Sequence, residues 1–204
     1  PSNPSEYGVL PSSRYKHISK DELLMLRSVG IKTTLPFQCI WSEIEPEKGN
    51  YNWEYLDGYV NRAESVGMKT ILFTPTHGFP IWFPDSYFAW TKGNKVHREA
   101  ISFWNPKARE EHIKFIQKMA ERYASNTCLI AFVPFSAGET VYLNEPAFYD
   151  PSAVESYYRY SNQREMLPEK DNQKTEDWLR CSYKETILNY QFVVANANKH
   201  KEIW

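Results

Sequence analysis

Residues 128–142 read CLIAFVPFSAGETVY, and the fold is decided by this stretch. An apolar run over residues 129–135 gives way to three small residues, 136–138, and then to a single carboxylate, Glu139. Buried strands of parallel sheets are apolar throughout, and functional side chains stand where such strands end. The pattern predicts a buried strand that carries Glu139 to its C-terminal edge. The alternative is that Glu139 is a surface acid on an ordinary loop.

Strand signals alternate with helix signals on both sides of this stretch. Ser19 and Glu22 have the spacing of a capping box, Asn52 can cap a second helix, and Asn105-Pro106 begins a third. The predicted strands cover residues 8–10, 31–41, 68–73 and 129–135, and the predicted helices cover residues 19–30, 52–67, 105–123, 150–160 and 175–194. The predicted buried faces comprise Leu56, Tyr59, Val60, Ala63 and Val66 in the second helix and Ile113, Ile116, Ala120 and Tyr123 in the third.

This alternation is typical of the α/β class, and specifically of a (β/α) barrel with its sites at the C-terminal ends of the strands. Four strand–helix units make half of an eight-stranded barrel. Residues 1–204 are therefore expected to form the N-terminal part of a single barrel domain, with strands five to eight outside this chain. A flavodoxin-like open sheet is the alternative, but its Gly-rich phosphate loop is absent after the first strand.

Bulk composition excludes several functions. With 24 basic and 25 acidic residues interspersed, the net charge of -1 offers no field for nucleic acid or an anionic membrane. No apolar run approaches the roughly 20 residues of a membrane span, and the first thirty residues lack the layout of a secretory signal. The chain is expected to be soluble, in a compartment that the sequence does not identify. Its three cysteines are predicted to be buried thiols.

Aromatic residues make up 16% of the chain, with seven Trp and fourteen Tyr. Aromatic rings stack on the apolar faces of sugars, but an aromatic-rich core would produce the same composition. Many of these rings fall in residues 74–90, a long loop that is also rich in Pro. Loops of this length in compact domains are usually functional.

Three segments carry a resemblance to a known family. They are WSEIEPEKGNYNW at residues 41–53 with Leu56-Asp57, TPTHGFPIW at residues 74–82, and AERY at residues 120–123. In order and spacing they resemble clan A glycoside hydrolases, and family 42 β-galactosidases most closely. The resemblance covers roughly residues 20–140.

The resemblance implies a barrel that cleaves glycosidic bonds with two carboxylates and no cofactor or metal. One carboxyl group, with a raised pKa, protonates the leaving oxygen, and the other attacks the anomeric carbon. By resemblance Glu139 is the acid/base at the end of the fourth strand, and the nucleophile follows a seventh strand outside this chain. The implied partner is a carbohydrate substrate.

Three departures from the family pattern leave alternatives open. The family ends its fourth strand in Asn-Glu, whereas Gly138-Glu139 is more similar to β-amylase family 14, which inverts the anomeric configuration. Asn144-Glu145-Pro146 lies further along, so Glu145 is the alternative acid/base. The arginine that the family carries on its second strand is missing, since Lys32 is the only basic residue between Ile31 and Trp41, and this leaves the galactoside specificity open.

Further candidates surround the predicted site. Gln38 and Trp41 are expected near the sugar, although Trp41 could instead pack under a loop braced by Glu45. His77 is a candidate hydroxyl donor. The predicted stacking rings are Trp82 and Trp90, while Tyr142 is predicted to lie beside Glu139 and the substrate, and Trp53 and Trp104 are assigned to packing.

The chain begins without Met and stops where a further strand is expected, which predicts a fragment or first half of an enzyme, inactive in isolation. Its open strand edge would favour self-association or pairing with the missing half of the barrel. The alternative from another functional class is a catalytically silent carbohydrate-binding barrel.

Overall fold

The computed structural model describes residues 7–9, 18–36, 39–73, 78–90, 95–102, 104–133 and 149–161. The chain divides into two units, which are described separately. The first comprises residues 1–82 and 122–136, and the second comprises residues 83–121 and 137–204. In the part of the chain that the structure describes, no helix has both the length and the apolarity needed to cross a membrane.

The first unit is built on a four-stranded parallel sheet. Its strands are β1 (Tyr7–Val9), β2 (Ile31–Thr34), β3 (Lys69–Phe73) and β6 (Leu129–Val133), in the spatial order β1-β2-β3-β6. The register pairs Thr34 with Thr70 and Phe73 with Val133. This order follows the sequence, as expected for successive strands of a barrel, and it brings the C-terminal ends of the strands to one edge.

Helix α1 (Lys20–Ser28) begins with the predicted capping box. The Glu22 backbone N–H donates to Ser19 Oγ at 3.2 Å, and the Ser19 N–H donates to the Glu22 carboxylate at 2.7 Å. Two amides that the helix start leaves free are thereby satisfied. Gly30, with φ of +92°, follows the helix in the left-handed conformation that glycine adopts without strain.

Helix α3 (Glu54–Ser65) supplies most of the core of this unit. Its predicted apolar face is confirmed, because the five residues of that face are all buried: Leu56, Tyr59, Val60, Ala63 and Val66. Ile18, Leu23 and Met68 pack against it. The helix begins one residue later than Asn52 would place it, with Trp53 as N-cap, but Asn52 Oδ1 still accepts from the Glu54 N–H at 3.1 Å.

The predicted second strand is too long. Strand β2 ends at Thr34, and residues 41–44, where the strand was expected to end and a loop to begin, form the short helix α2 (Trp41–Ile44). Pro36 cannot donate to a sheet and follows the strand closely. The apolar residues beyond it, Ile40 and Trp41, therefore form the start of α2 and do not extend the strand.

The second unit contains an antiparallel pair that the sequence does not predict. The sequence predicts one long loop over residues 74–90, yet a 3₁₀ turn (Asp85–Tyr87) leads into β4 (Phe88–Trp90), which pairs with β5 (Val96–Ile101). Phe88, Ala89 and Ile101 are buried. The hairpin thus takes up the end of the expected loop.

Helix α4 (Pro106–Tyr123) begins where predicted, since Asn105 Oδ1 accepts from the N–H groups of Lys107 and Ala108. Its buried stripe differs from the predicted one. Ile116 and Tyr123 are buried, but Ile113 and Ala120 are only partly so, and the stripe includes Ala108, Glu111, His112, Phe115 and Met119.

Helix α5 (Pro151–Ser161) confirms the predicted helix from Asp150-Pro151. Asp150 Oδ1 accepts from the Ala153 N–H at 3.1 Å and from Ser102 Oγ at 2.7 Å. The predicted helix over residues 175–194 lies outside the described residues.

Candidate active site

The candidate site lies at the sheet edge where β2, β3 and β6 end. Because Phe73 pairs with Val133 in a parallel register, the segments that follow β3 and β6 leave the sheet from neighbouring positions. His77 follows β3, and Glu139, Tyr142 and Glu145 follow β6. These four residues and Gln38 lie outside the described residues. The geometry around Trp41 and Trp82 is described.

The segment after β2 contains α2 and the turn that follows it, and residues 41–49 of this segment are called the Glu45 loop. Trp41 and Glu45 lie at its centre. Trp41 is fully buried, and its indole Nε1–H donates to Glu45 Oε2 at 2.7 Å. The other oxygen of the Glu45 carboxylate accepts from the Gly49 N–H at 2.8 Å, and Glu45 itself is only 4% exposed. Of the two alternatives for Trp41, the structure therefore places it under the Glu45 loop, and Glu45 braces that loop.

The loop after β2 also contacts the segment after β3. The Ser42 N–H donates to the Gly78 carbonyl at 2.8 Å, and Trp82 Nε1–H donates to the Glu45 carbonyl at 3.2 Å. The rings of Trp41 and Phe79 meet edge to face, with centroids 6.1 Å apart. Residues 78–82 are thus attached to the Glu45 loop near both ends.

Trp82 is partly buried, and the Lys48 ammonium lies 5.4 Å from the centroid of its ring. This cation–π contact and the indole hydrogen bond determine the orientation of the ring. Trp90, the other predicted stacking residue, lies in β4 of the second unit and donates its Nε1–H to the Asp85 carbonyl at 3.3 Å.

Residues from two of the family-like segments contact each other within the first unit. Arg122 binds both carboxylate oxygens of Asp57, and Tyr123 Oη–H donates to Asp57 Oδ1 at 2.9 Å. Trp53 lies edge to face with Tyr123 and beneath the Arg122 guanidinium, in agreement with its assignment to packing. The hydrogen bonds from Arg122 hold the pKa of Asp57 below its ordinary value, while burial raises the pKa of Tyr123.

A cavity of about 420 Å³ lies between α2 and the first half of α3, and sequence reasoning does not predict it. It is lined by Ile40, Glu43, Ile44, Asn52, Glu54, Tyr55, Gly58 and Arg62. The sequence feature that points to this cavity is Gly58, because a glycine inside a helix often has a packing reason. A Cβ at this position would lie 3.1 Å from Arg62 Nη1.

Two buried titratable groups of the second unit have shifted pKa values. Burial lowers the pKa of His112 to about 4, so this imidazole is neutral at pH 7. Burial raises the pKa of Asp150, partly opposed by its hydrogen bonds from Ser102 and the α5 amides. Within the described ranges, no group of three or more His, Cys, Asp or Glu side chains is placed to hold a metal ion.

Comparison with known proteins gives a family match. The model of Glyco_hydro_42, described as beta-galactosidase, matches residues 10–194. The chain is 24% identical over 129 residues to beta-galactosidase BbgII of Bifidobacterium bifidum, an alignment that covers 60% of this chain and 19% of that protein. The chain thus spans about a fifth of the length of the curated relatives it matches.

Solved structures share the fold. A beta-galactosidase from the psychrophilic Marinomonas ef1 has a TM-score of 0.75 at 22% identity, over 96% of this chain and 35% of that one. The catalytic domain of a beta-amylase from Paenibacillus polymyxa has a TM-score of 0.63 at 15% identity, over 77% of this chain and 46% of that one. At these identities the likeness shows the fold alone, an α/β fold of the (β/α) barrel type.

Proposed function

The chain belongs to glycoside hydrolase family 42, described as beta-galactosidase, and from this membership we propose that it supplies part of a glycosidase. The enzyme would cleave the O-glycosidic bond of a β-galactoside or of another oligosaccharide. The observation that carries the proposal is the family match over residues 10–194, which includes the end of β6 and Glu139.

The proposed architecture is the N-terminal half of an eight-stranded barrel. The parallel sheet β1-β2-β3-β6, whose strands lie side by side in the order in which they occur along the chain, supports this extent, as does the 35% share of the Marinomonas structure that the chain covers. In a barrel the active site lies at the C-terminal ends of the strands. Pairing with the remaining strands would complete the site and cover the open edge of the sheet.

The proposed mechanism uses two carboxyl groups. Glu139, six residues beyond Val133 at the end of β6, is the proposed general acid/base. It would protonate the leaving oxygen while the second carboxylate, outside this chain, attacks the anomeric carbon. In a retaining enzyme the two carboxyl groups lie about 5 Å apart. Burial among apolar groups would keep the pKa of this acid high enough to retain a proton near neutral pH.

Four substrate-binding residues are proposed to accompany this acid. Gln38 and His77 would donate or accept hydrogen bonds with sugar hydroxyls, and Tyr142 and Trp82 would contact the ring faces. Trp41 would contribute by supporting the Glu45 loop, because its indole is fully buried. No cofactor takes part in this mechanism.

The direct test is Glu139→Gln in the whole protein, assayed by hydrolysis of aryl β-galactosides. General acid–base catalysis contributes about 10²- to 10⁴-fold, so we expect a loss of that order in kcat for substrates with poor leaving groups. Glu145→Gln is the matched control and should stay near wild type. If only Glu145→Gln is inactive, the acid lies six residues further along.

Two further measurements separate the alternatives. NMR of the first-formed sugar anomer distinguishes retention from the inversion expected of a β-amylase-like site. A wild-type protein that binds sugars but hydrolyses no aryl glycoside would be a silent carbohydrate-binding barrel, and this outcome would overturn the proposed activity.

A further inference from the structure

We propose that Glu45 and Gly78 are positioning residues for substrate binding. Through them the loop after β2 holds the segment after β3, and with it the indole of Trp82, in the arrangement that receives the sugar. This inference rests on the proposed function, because Trp82 is one of the residues assigned to the substrate there.

The first step is the rigidity of the Glu45 loop itself. The Glu45 carboxylate accepts two hydrogen bonds, one from a residue before Glu45 and one from a residue after it: from Trp41 Nε1–H at 2.7 Å and from the Gly49 N–H at 2.8 Å. Trp41 is completely buried and Glu45 nearly so. Hydrogen bonds to an ionised carboxylate are stronger than neutral ones, and loss of a buried acceptor leaves its donors unsatisfied. The loop is thus closed by one side chain.

The second step is that residues 78–82 are attached to this loop at two points. The Gly78 carbonyl accepts from the Ser42 N–H at 2.8 Å, and Trp82 donates its indole N–H to the Glu45 carbonyl at 3.2 Å. The backbone group that Trp82 binds therefore belongs to the residue whose side chain closes the first loop. A change in the Glu45 turn would move the acceptor of the Trp82 indole.

The third step is the close approach of Gly78 to Ile40. Gly78 has φ of +65°, in the left-handed region, and a Cβ at this position would lie 2.5 Å from Ile40 Cγ2. Any other residue here would force the two segments apart.

Kinetics can separate this role from one in proton transfer. A ring that stacks on the sugar in both the ground and transition states contributes uniform binding, so misplacing it raises KM and leaves kcat unchanged. Glu139 follows β6, whereas Trp82 follows β3. The pKa values that determine the pH profile of the activity should therefore not change when Trp82 is misplaced.

The experiment compares Glu45→Ala, Glu45→Gln and Glu47→Ala in the whole protein with an aryl β-galactoside. Glu47 is exposed and lies in the same loop, which makes it the matched control. We expect KM to rise about tenfold in Glu45→Ala, with kcat within about twofold and an unchanged pH profile. Glu45→Gln keeps one acceptor oxygen and should lie between Glu45→Ala and wild type. Glu47→Ala should match wild type.

Other outcomes would overturn the inference. A fall in kcat or a shifted pH profile in Glu45→Ala would place Glu45 in the chemistry, and unchanged kinetics would show that it positions nothing. Where Glu45→Ala does not fold, Glu45→Gln and the calorimetric affinity for galactose decide by the same criterion.

A second readout separates this inference from the proposed function. The indole N–H resonances of Trp41 and Trp82, assigned with Phe substitutions, should both move in Glu45→Gln and stay in place in Glu47→Ala. If wild type hydrolyses no glycoside, the proposed activity fails, and galactose affinity replaces KM in the comparison. Unmoved resonances, or unchanged affinity, would then overturn the positioning role independently.

Discussion

Arg122 binds the carboxylate of Asp57 with two hydrogen bonds, one to each oxygen, although 65 residues separate them in sequence. The pair joins α3 to the C-terminal end of α4, directly before β6. Tyr123 adds a third hydrogen bond to the same carboxylate at 2.9 Å. Two segments that resemble the family and lie far apart in sequence therefore meet in one contact within the first unit.

Asp57→Asn should destabilise the first unit. The side chains of Asp57 and Arg122 are 30% and 42% exposed, so the solvent screens the pair and we expect a loss of about 1 kcal/mol at pH 7. Since the hydrogen bonds lower the folded-state pKa of Asp57, its contribution is present above the unfolded pKa and is lost as pH falls through the folded pKa. Urea unfolding at pH 7 and in acid measures both effects.

Glu121→Gln is the control for this prediction. Glu121 lies on α4, next to Arg122, and pairs with Lys118, but the side chains of Glu121 and Lys118 are both about half exposed. Its loss should change the unfolding free energy by less than about 0.5 kcal/mol. Equal effects of Asp57→Asn and Glu121→Gln would show that the Asp57 contact adds nothing beyond surface charge.

Signals that depend on residues close in sequence predicted the parallel sheet and most helices. The Ser19 capping box and the Asn105 cap act over three residues, and the apolar face of α3 repeats every turn. The β4–β5 pair could not be predicted in this way. Its register pairs Phe88 with Ile101, and β4 directly follows a stretch rich in Pro and aromatic residues that predicts a loop. Whether such residues pair as strands depends on tertiary contacts, which local sequence patterns do not show.

Gly78→Ala should cost more stability than Gly49→Ala. Both glycines have positive φ, so alanine carries a similar backbone strain at either site, of roughly 1 kcal/mol. At Gly49 the added Cβ meets open space, whereas at Gly78 it would lie 2.5 Å from Ile40 Cγ2. We expect the Gly78 variant to lose about 1–3 kcal/mol more, measured by denaturant unfolding.

The origin of this difference can be tested with Ile40→Ala. Removing Cγ2 relieves the contact, so the double variant with Gly78→Ala should lose less than the sum of the two single losses. Strict additivity would mean that Ile40 and Gly78 do not constrain each other.

The candidate site was predicted less completely than the fold. The brace by Glu45 follows from the family-like segment, but the sequence leaves two alternatives for Trp41, and only the 2.7 Å bond to Glu45 distinguishes them. The attachment of Trp82 to the Glu45 carbonyl has no sequence signal, because any residue offers a backbone carbonyl. The close approach of Gly78 to Ile40 was not predicted either, although glycine is the residue that such an approach requires.

His112 should make the second unit less stable in mild acid. Burial lowers its folded-state pKa to about 4, while the unfolded chain has a value near 6.5. Between these values the unfolded state binds the proton and the folded state does not, so stability falls as pH drops from about 6.5 towards 4. The loss is of the order of 3 kcal/mol. His112→Gln should flatten this part of the pH dependence, and an unchanged slope in that variant would exclude His112 as its source.

Asp150 should tolerate Asn far better than Ala. Its Oδ1 caps α5 through the Ala153 N–H and accepts from Ser102 Oγ, and an amide oxygen can accept both bonds. Burial raises the folded-state pKa of Asp150, so its ionised form costs stability as pH rises through that pKa, and Asn removes this cost. We expect Asp150→Asn to lie near wild type at pH 7, while Asp150→Ala loses about 1–2 kcal/mol with the cap. Equal losses in the two variants would mean that α5 depends on the charge of Asp150 and not on its hydrogen bonds.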